Sequence, residues 1–153
     1  MAKHVVASAK RIIDAPAEVV YRYLADMHLQ AQFLPPPFYD FEVLEGGKGA
    51  GSVISFKIKS AGGVHELRME LSEPEPGQTL VQTDTGGRRL VRTFTVTARG
   101  KQALVNISSS FEGEVGVAGF VEGIIAPRRL HRIYLQELTR LNDYATKQRA
   151  SLT

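Results

Sequence analysis

The amino-acid sequence predicts an α+β fold in which a curved antiparallel sheet wraps around one long C-terminal helix. From Pro127 to Lys147, apolar side chains recur at steps of three and four, which is the period of one helix face. Between Phe38 and Phe111, apolar and polar side chains alternate, and glycine-rich turns divide the alternating runs. Apolar faces of helix and sheet are both buried when they pack together, so we expect the helices on one side of the sheet.

The first strand is predicted over residues 4 to 13, which are rich in Val, Ile and Ala. A helix follows with Pro16 at its first position, where the missing amide donor has no partner to lose. A second short helix covers about residues 28 to 33 and ends before Pro35-Pro36-Pro37, because proline disfavours helix in the residue that precedes it. Two short helices therefore follow the first strand.

Six further strands are predicted after the triple proline, which makes a sheet of seven strands. They cover residues 38–45, 52–59, 65–71, 78–84, 88–98 and 102–111. Short turns join them, and most of these turns contain glycine. The apolar face of the final helix consists of Leu130, Ile133, Tyr134, Leu138, Leu141, Tyr144 and Ala145. A strongly bent sheet either encloses a cavity against this helix or is filled by bulky side chains.

Length and composition restrict the class of protein. The chain has 153 residues, of which 43% are hydrophobic, so residues 1–153 are predicted to form a single domain. It contains no cysteine, which excludes disulfides and thiolate metal ligands. The start lacks the apolar core of a signal peptide, and the longest apolar run, Val115 to Val121, is too short to span a membrane. We therefore expect a cytoplasmic protein that does not insert into membranes.

The formal net charge of +3 is concentrated in the C-terminal helix. Between Pro127 and Arg149 there are six Lys or Arg and two Asp or Glu, a local charge of +4. A second basic cluster lies in one predicted hairpin and consists of Arg88, Arg89, Arg92, Arg99 and Lys101. Such clusters attract phosphates or an acidic surface, or they are solvated faces that discourage sheet aggregation.

The sequence lacks several common catalytic and cofactor motifs. The glycine loop Gly46 to Gly51 lacks the Lys-Ser/Thr ending of a phosphate-binding loop, and we interpret it as a structural turn. The four histidines have no spacing typical of metal ligands, so we predict no metal site and no cofactor. No serine lies in a Gly-x-Ser-x-Gly motif, and Glu66 and Glu70 share the polar side of their strand. No catalytic residue is therefore assigned from a motif.

Arg92 alternates in step with Leu90, Phe94 and Val96, an apolar set that is predicted to face inward. A guanidinium on that face must meet a carboxylate, cavity water or an anionic ligand, because a buried unpaired charge is strongly destabilising. Alternatively, Arg92 lies near the end of its strand and reaches solvent. His65 presents the same choice at the start of its own strand.

Three stretches of the chain carry a family resemblance: Ile12 to Val20, Phe41 to Leu44 with the glycine loop that follows, and Leu135 to Leu141. They resemble the START and Bet v 1-like (SRPBCC) superfamily, especially its bacterial polyketide cyclase/dehydrase and lipid-transport group. The resemblance implies a helix-grip fold with the element order β-α-α-β6-α and a cavity for an apolar or aromatic ligand. This chain departs from the usual pattern because it has no tryptophan, with Tyr21 and Phe33 in the regions where relatives often place one.

In a cavity of that kind, Arg92 and His65 would be the polar anchors. The other candidate ligand-binding residues offer a hydroxyl or an apolar surface and are Tyr134, Tyr39, Phe56, Met69, Phe94 and Phe120. Core packing explains these six residues equally well. The segment Gly113 to Ala126 contains four glycines, and we predict that it forms a flexible lid over one end of the cavity.

The leading functional hypothesis is the binding of a small hydrophobic or aromatic ligand, such as a lipid or a polyketide-like molecule, between sheet and helix. A second hypothesis is an enzyme of the polyketide cyclase/dehydratase type, in which His65, Tyr134 or Arg92 orients an enolisable substrate and handles protons. A third is an interaction module that uses the basic helix face to contact a ribosome, another protein or a membrane surface. We predict no specific nucleic-acid binding, and a monomer or weak homodimer.

Overall fold

The computed structural model describes residues 3–60, 63–86, 90–112 and 127–151. Within these ranges the helices are α1 (Ala17–Ala25), α2 (Met27–Phe33) and α3 (Pro127–Ser151). The strands are β1 (Lys3–Ile13), β2 (Phe38–Glu45), β3 (Val53–Ser60), β4 (Gly63–Glu75), β5 (Thr79–Asp84), β6 (Leu90–Arg99) and β7 (Gln102–Glu112). They form one sheet of seven strands in the order β1-β7-β6-β5-β4-β3-β2, and every neighbouring pair is antiparallel. The predicted α+β fold, with two short helices after the first strand, is confirmed.

Strand β4 is longer than predicted. It begins at Gly63 and continues through Glu75, which pairs with Thr79 of β5 after a register shift between Ser72 and Glu75. The shift spans Pro74, and an irregular position of this kind tolerates a residue that cannot donate to the ladder. The strand therefore passes through the proline that was expected to follow it.

The start of α1 also differs from the prediction by one residue. Pro16 is the N-cap and not the first helical residue, because its ψ of 149° is extended. Its carbonyl oxygen accepts hydrogen bonds from the amides of Val19 and Val20, so the proline still begins the helix. At the next helix, the side chain of Asp26 caps α2 by accepting from the amide of His28 at 3.0 Å.

Helix α3 buries the face that the sequence predicts. Its buried apolar residues are Leu130, Ile133, Tyr134, Leu138, Leu141 and Ala145, with Tyr144 half-buried. The exposed side carries Arg128, Arg129, Arg132, Asp143 and Lys147. The helix lies against β1 and α2, while α1 lies against β6, so the helices cover one face of the sheet. In the described residues, no helix is long and apolar enough to cross a membrane.

The glycine loop Gly46 to Gly51 is docked on the junction between α1 and α2. The amide of Met27 donates to the carbonyl of Gly47 at 2.7 Å, and the amide of Gly49 donates to the carbonyl of Ala25 at 2.9 Å. Gly46 and Gly49 have φ values of 67° and 65°, which a residue with a Cβ adopts only at a cost. The loop is a structural turn, as the sequence predicts.

Candidate functional site

Six polar side chains are buried between the inner face of the sheet and the helices. Each is at most 2% exposed, and they are Gln30, Gln82, Arg92, Ser109, Tyr134 and Glu137. They come from α2, β5, β6, β7 and α3, so the fold brings them together from distant parts of the chain. A core built only for stability would place apolar side chains at such positions.

Arg92 and Glu137 form the centre of this polar network. The Nη2 atom of Arg92 donates to Oε1 of Glu137 at 2.7 Å, and its Nη1 atom donates to Oε1 of Gln82 at 3.2 Å. Nε2 of Gln30 donates to the other carboxylate oxygen of Glu137 at 2.8 Å. Both oxygens of the carboxylate therefore have a donor, which is what a buried carboxylate requires.

Two aromatic rings flank the guanidinium. Its carbon lies 5.0 Å from the ring centroid of Phe94 and 5.2 Å from that of Tyr134. The negative faces of aromatic rings attract a cation, so both rings stabilise Arg92 in the charged form. The hydroxyl of Tyr134 forms a short hydrogen bond with the hydroxyl of Ser109.

Burial and ion pairing act in opposite directions on the pKa values of the two partners. Burial lowers the pKa of Arg92, but Glu137 and Tyr134 together outweigh burial, and the pKa is raised overall. Burial raises the pKa of Glu137, and the Arg92 guanidinium opposes that rise without cancelling it. Because arginine keeps its proton throughout the accessible pH range, Arg92 supplies the cation that an ionised Glu137 needs.

Three polar atoms of the network have no hydrogen-bond partner in the part of the chain that the structure describes. They are Oε1 of Gln30, Nε2 of Gln82 and Nε of Arg92. A buried polar atom without a partner destabilises a fold by about 1–3 kcal/mol. A further polar group within hydrogen-bond distance of any of the three would therefore be stabilised.

The structure decides between the two predictions for Arg92. The residue faces inward and is 1% exposed, and a carboxylate, that of Glu137, pairs with it. Its alternation with Leu90, Phe94 and Val96 therefore gave its orientation correctly.

The other predicted site residues lie at varied depths. Tyr134 belongs to the network, while Phe56, Met69 and Phe94 are fully buried. His65 is half-buried at the start of β4, and its Nε2 atom has no partner within the described ranges. Tyr39 is 37% exposed on β2. Phe120 and the predicted lid, Gly113 to Ala126, lie outside the described residues.

Sequence reasoning missed four members of the network, and three of them carried a signal. Glu137 lies four residues after Ile133 and three after Tyr134, which places it on the apolar face of α3. Gln82 lies between Leu80 and Asp84 on the buried side of β5. Each of these is a polar residue at the spacing of a buried apolar face, and that spacing indicates that its side chain faces inward. Ser109 is a third case, because it continues the buried alternation of Ala103, Val105 and Ile107 on β7. For Gln30, the seven-residue helix α2 is too short to show a clear pattern.

A second polar pair lies outside this network. The hydroxyl of Tyr21 on α1 donates to Oε1 of Glu73 on β4 at 2.7 Å. Tyr21 borders two surface grooves of about 540 and 620 Å³. The first lies between the C-terminal half of α1 and the glycine loop, and the second between the N-terminal half of α1 and β6. Burial, together with the hydrogen bond to Glu73, raises the pKa of Tyr21.

Within the described ranges, no three His, Asp or Glu side chains are grouped so that they could hold a metal ion. The chemically capable groups of the buried site are thus an arginine, a carboxylate, a phenol and a hydroxyl. They are suited to binding a polar group and to proton transfer.

Comparison with solved structures identifies the class of protein that this geometry defines. The chain is similar to the KanY protein, with 27% identity over 94% of this chain and 98% of that one, and a TM-score of 0.80. It is similar in fold to the Zhui aromatase/cyclase from Streptomyces sp. R1128, with 18% identity, a TM-score of 0.68 and coverage of 96% of both chains. Ginseng major latex-like protein 151 from Panax ginseng gives 16% identity and a TM-score of 0.65, over 94% of this chain and 96% of that one. The fold is the helix-grip fold of Bet v 1-like proteins.

The family follows from the sequence itself. The model of the family described as polyketide cyclase / dehydrase and lipid transport matches residues 4–146. The chain therefore belongs to this family, within the SRPBCC superfamily, and the predicted resemblance is confirmed. No curated protein matches the chain.

Proposed function

We propose that this protein binds a small hydrophobic or aromatic molecule in a cavity between the sheet and α3, with the buried polar network as its anchor. The observation that carries the proposal is the Arg92–Glu137 ion pair, which lies between the two layers with both side chains almost fully buried. Replacing a buried ion pair with apolar residues is often neutral or stabilising. A role in ligand recognition gives a reason to keep the pair.

The surroundings of the ion pair also suit such a ligand. Phe94 and Tyr134 flank the guanidinium, and Phe56 and Met69 are buried on β3 and β4 in the same hydrophobic core. Aromatic and methionine side chains adapt to flat or flexible apolar molecules. The family is described as acting in polyketide cyclisation or dehydration and in lipid transport, and both classes of ligand are largely apolar.

Native mass spectrometry of the freshly purified protein tests the proposal. We expect an adduct of one small molecule per chain, which is released on denaturation and identified as a lipid or aromatic compound. If the protein has an apo mass, and its melting temperature does not change with any member of a lipid and polyketide panel, the proposal is wrong.

The salt dependence of binding gives a second readout. A ligand held in an interior cavity is insensitive to ionic strength, whereas capture on the exposed Arg128, Arg129 and Arg132 weakens steeply as salt is added. We expect affinity in low and high salt to agree within about twofold. A steep loss would favour the basic face of α3 as the binding surface.

A cyclase or dehydratase activity is the second candidate, because one buried network contains groups that orient a carbonyl and move protons. Arg92 would donate a hydrogen bond to the carbonyl oxygen of an enolisable substrate, and the Tyr134 phenol would exchange a proton with the substrate. Turnover of a poly-β-keto substrate analogue, followed by product chromatography, tests this candidate. Tyr134→Phe keeps the ring and removes the phenol, so it should abolish turnover while binding persists.

A further inference from the structure

The buried polar network combines one cation with one anion, so its net charge is zero. Arg92 and Glu137 are 2.7 Å apart, and the other four members are neutral. Arg140 also lowers the pKa of Glu137, but less than Arg92 and Gln30 do. The Arg140 guanidinium donates to the carbonyl of Leu34 at 3.3 Å. The positive charge of Arg92 is therefore already compensated within the protein.

The orientation of both network amides follows from their partners. Gln82 must turn its oxygen toward the Arg92 guanidinium, because only an acceptor is attracted there. Gln30 must turn its nitrogen toward the Glu137 carboxylate, because an amide oxygen would be repelled. Nε2 of Gln82 and Oε1 of Gln30 are consequently left over as one donor and one acceptor, and Nε of Arg92 is a second donor.

We infer that the site selects a ligand whose polar group is neutral, a hydroxyl or a carbonyl, over one that carries a carboxylate. This inference rests on the proposed function and specifies the chemical class of its ligand. A hydroxyl can accept from Gln82 or Arg92 or donate to Gln30, and a carbonyl can accept from either donor, so each satisfies at least one atom that is otherwise unpaired.

A carboxylate is disfavoured on electrostatic grounds. It would lose its hydration and meet an arginine whose charge is already balanced by Glu137. A ligand carboxylate that contacts Arg92 would also lie close to the Glu137 carboxylate. Two neighbouring negative charges repel strongly in a low-dielectric interior. A pure hydrocarbon avoids this repulsion but leaves the unpaired donors and acceptor unsatisfied.

A matched series of probes tests the inference on the wild-type protein. Naphthol, naphthoate and naphthalene share an aromatic body, and decanol, decanoate and decane share a linear one. Affinities are measured by calorimetry or by probe displacement near neutral pH, where the acids are ionised and the alcohols are not. In whichever skeleton binds, we expect the alcohol to bind at least about tenfold more tightly than the acid and more tightly than the hydrocarbon.

Glu137→Gln provides a change of charge at constant shape. The variant leaves Arg92 without its counter-ion, so the network acquires one net positive charge. We expect the ratio of acid to alcohol affinity to rise by about tenfold or more. Glu73→Gln is the matched control, because the same substitution is made on β4 at the Tyr21 hydrogen bond, and its ratio should equal that of wild type.

The outcomes separate the inference from the proposed function. If neither skeleton binds in any form, the proposed function fails, and the inference fails with it. If a skeleton binds but its acid binds as tightly as its alcohol, the inference fails and the proposed function stands. An unchanged ratio in a folded Glu137→Gln protein also overturns the inference. If that variant does not fold, as judged by its thermal melt, the wild-type series alone decides.

Discussion

The Nη2 atom of Arg92 on β6 lies 2.7 Å from Oε1 of Glu137 on α3, and the two side chains are 1% and 3% exposed. Arg92 lies on an interior strand of the sheet, and Glu137 lies on the C-terminal helix. The ion pair thus joins the two layers of the fold at a point that water does not reach. A substitution that removes one partner therefore leaves the charged group of the other buried without a counter-ion.

The first prediction concerns this pair. Arg92→Met should lower the free energy of unfolding by about 3–5 kcal/mol, because Glu137 then lies buried without its cation. Glu137→Leu should lower the free energy of unfolding by a similar amount, because Arg92 then lies buried without its anion. The double variant should lose at least about 2 kcal/mol less than the sum of the single losses, because no unpaired charge is left. Urea unfolding measures all three, and additive losses would contradict the coupling.

The second prediction concerns α3. A chain that ends before Pro127 loses the six buried apolar side chains of this helix, a gross contribution on the order of 10 kcal/mol, comparable with the whole stability of a domain. We expect no cooperative thermal transition. A chain that ends at Gln148 is the control, since it loses the exposed Arg149–Asp14 ion pair, which contributes at most about 1 kcal/mol. A cooperative melt in the shorter chain would show that α3 is dispensable.

The third prediction is a loss of stability at alkaline pH. Burial and the hydrogen bond to Glu73 raise the pKa of Tyr21, and burial raises that of Tyr134 although Arg92 opposes it. Above about pH 10, an unfolded chain ionises both phenols while the folded chain keeps their protons. The unfolded state therefore binds fewer protons, and the unfolding free energy falls as pH rises.

Urea midpoints measured from about pH 8 to about pH 11 check this dependence. Below about pH 10 the contribution of both tyrosines should be fully present, and above it the midpoint should fall. Tyr21→Phe removes one of the two groups, so its midpoint should fall less steeply. If Tyr21→Phe and wild type lose stability with the same slope, Tyr21 does not contribute.

The fourth prediction concerns the glycine loop. Gly49 has a φ of 65°, and a Cβ at this position would lie 2.7 Å from Oε2 of Glu73. That carboxylate also accepts from the amide of Ala50 and from the Tyr21 hydroxyl. Gly49→Ala should therefore destabilise the protein by about 2–3 kcal/mol, from backbone strain and from displacement of Glu73.

Gly100→Ala is the matched control for this substitution. Gly100 has a φ of 62°, but a Cβ there meets nothing within 4 Å. Gly100→Ala should lower the free energy of unfolding by about 1 kcal/mol, from backbone strain alone. The difference between the two variants in thermal or urea unfolding isolates the contact with Glu73, and equal losses would mean that Glu73 moves away freely.

The fold could be predicted because its signals are local. Each strand shows its own alternation, and α3 shows its own helical period, so the element order followed from the pattern. The boundary errors at Pro16 and in β4 arose where proline is compatible with more than one backbone conformation. At Pro16 the first-turn hydrogen bonds of α1 set the boundary, and in β4 the pairing with β5 did.

The site could be predicted only in part. The strand pattern showed that Arg92 faces inward, but its partner depends on how α3 lies across β6, which no local pattern encodes. Glu137 was visible as a charged residue in phase with the apolar face, and it was interpreted only as part of a family motif. Gln30 enters the network because α2 packs against α3, so its role requires the tertiary structure.

The docking of the Gly46 to Gly51 loop on the first two helices matters for anyone who engineers this protein. Glycine-rich turns look like interchangeable places to attach a fluorophore or to splice in an affinity peptide. Here they differ, because this loop exchanges backbone hydrogen bonds with Ala25 and Met27, whereas a Cβ at Gly100 would meet nothing within 4 Å. We expect a label at Gly100 to leave α1 and α2 in place. A peptide inserted into the glycine loop would break its hydrogen bonds to these helices and displace them from the sheet.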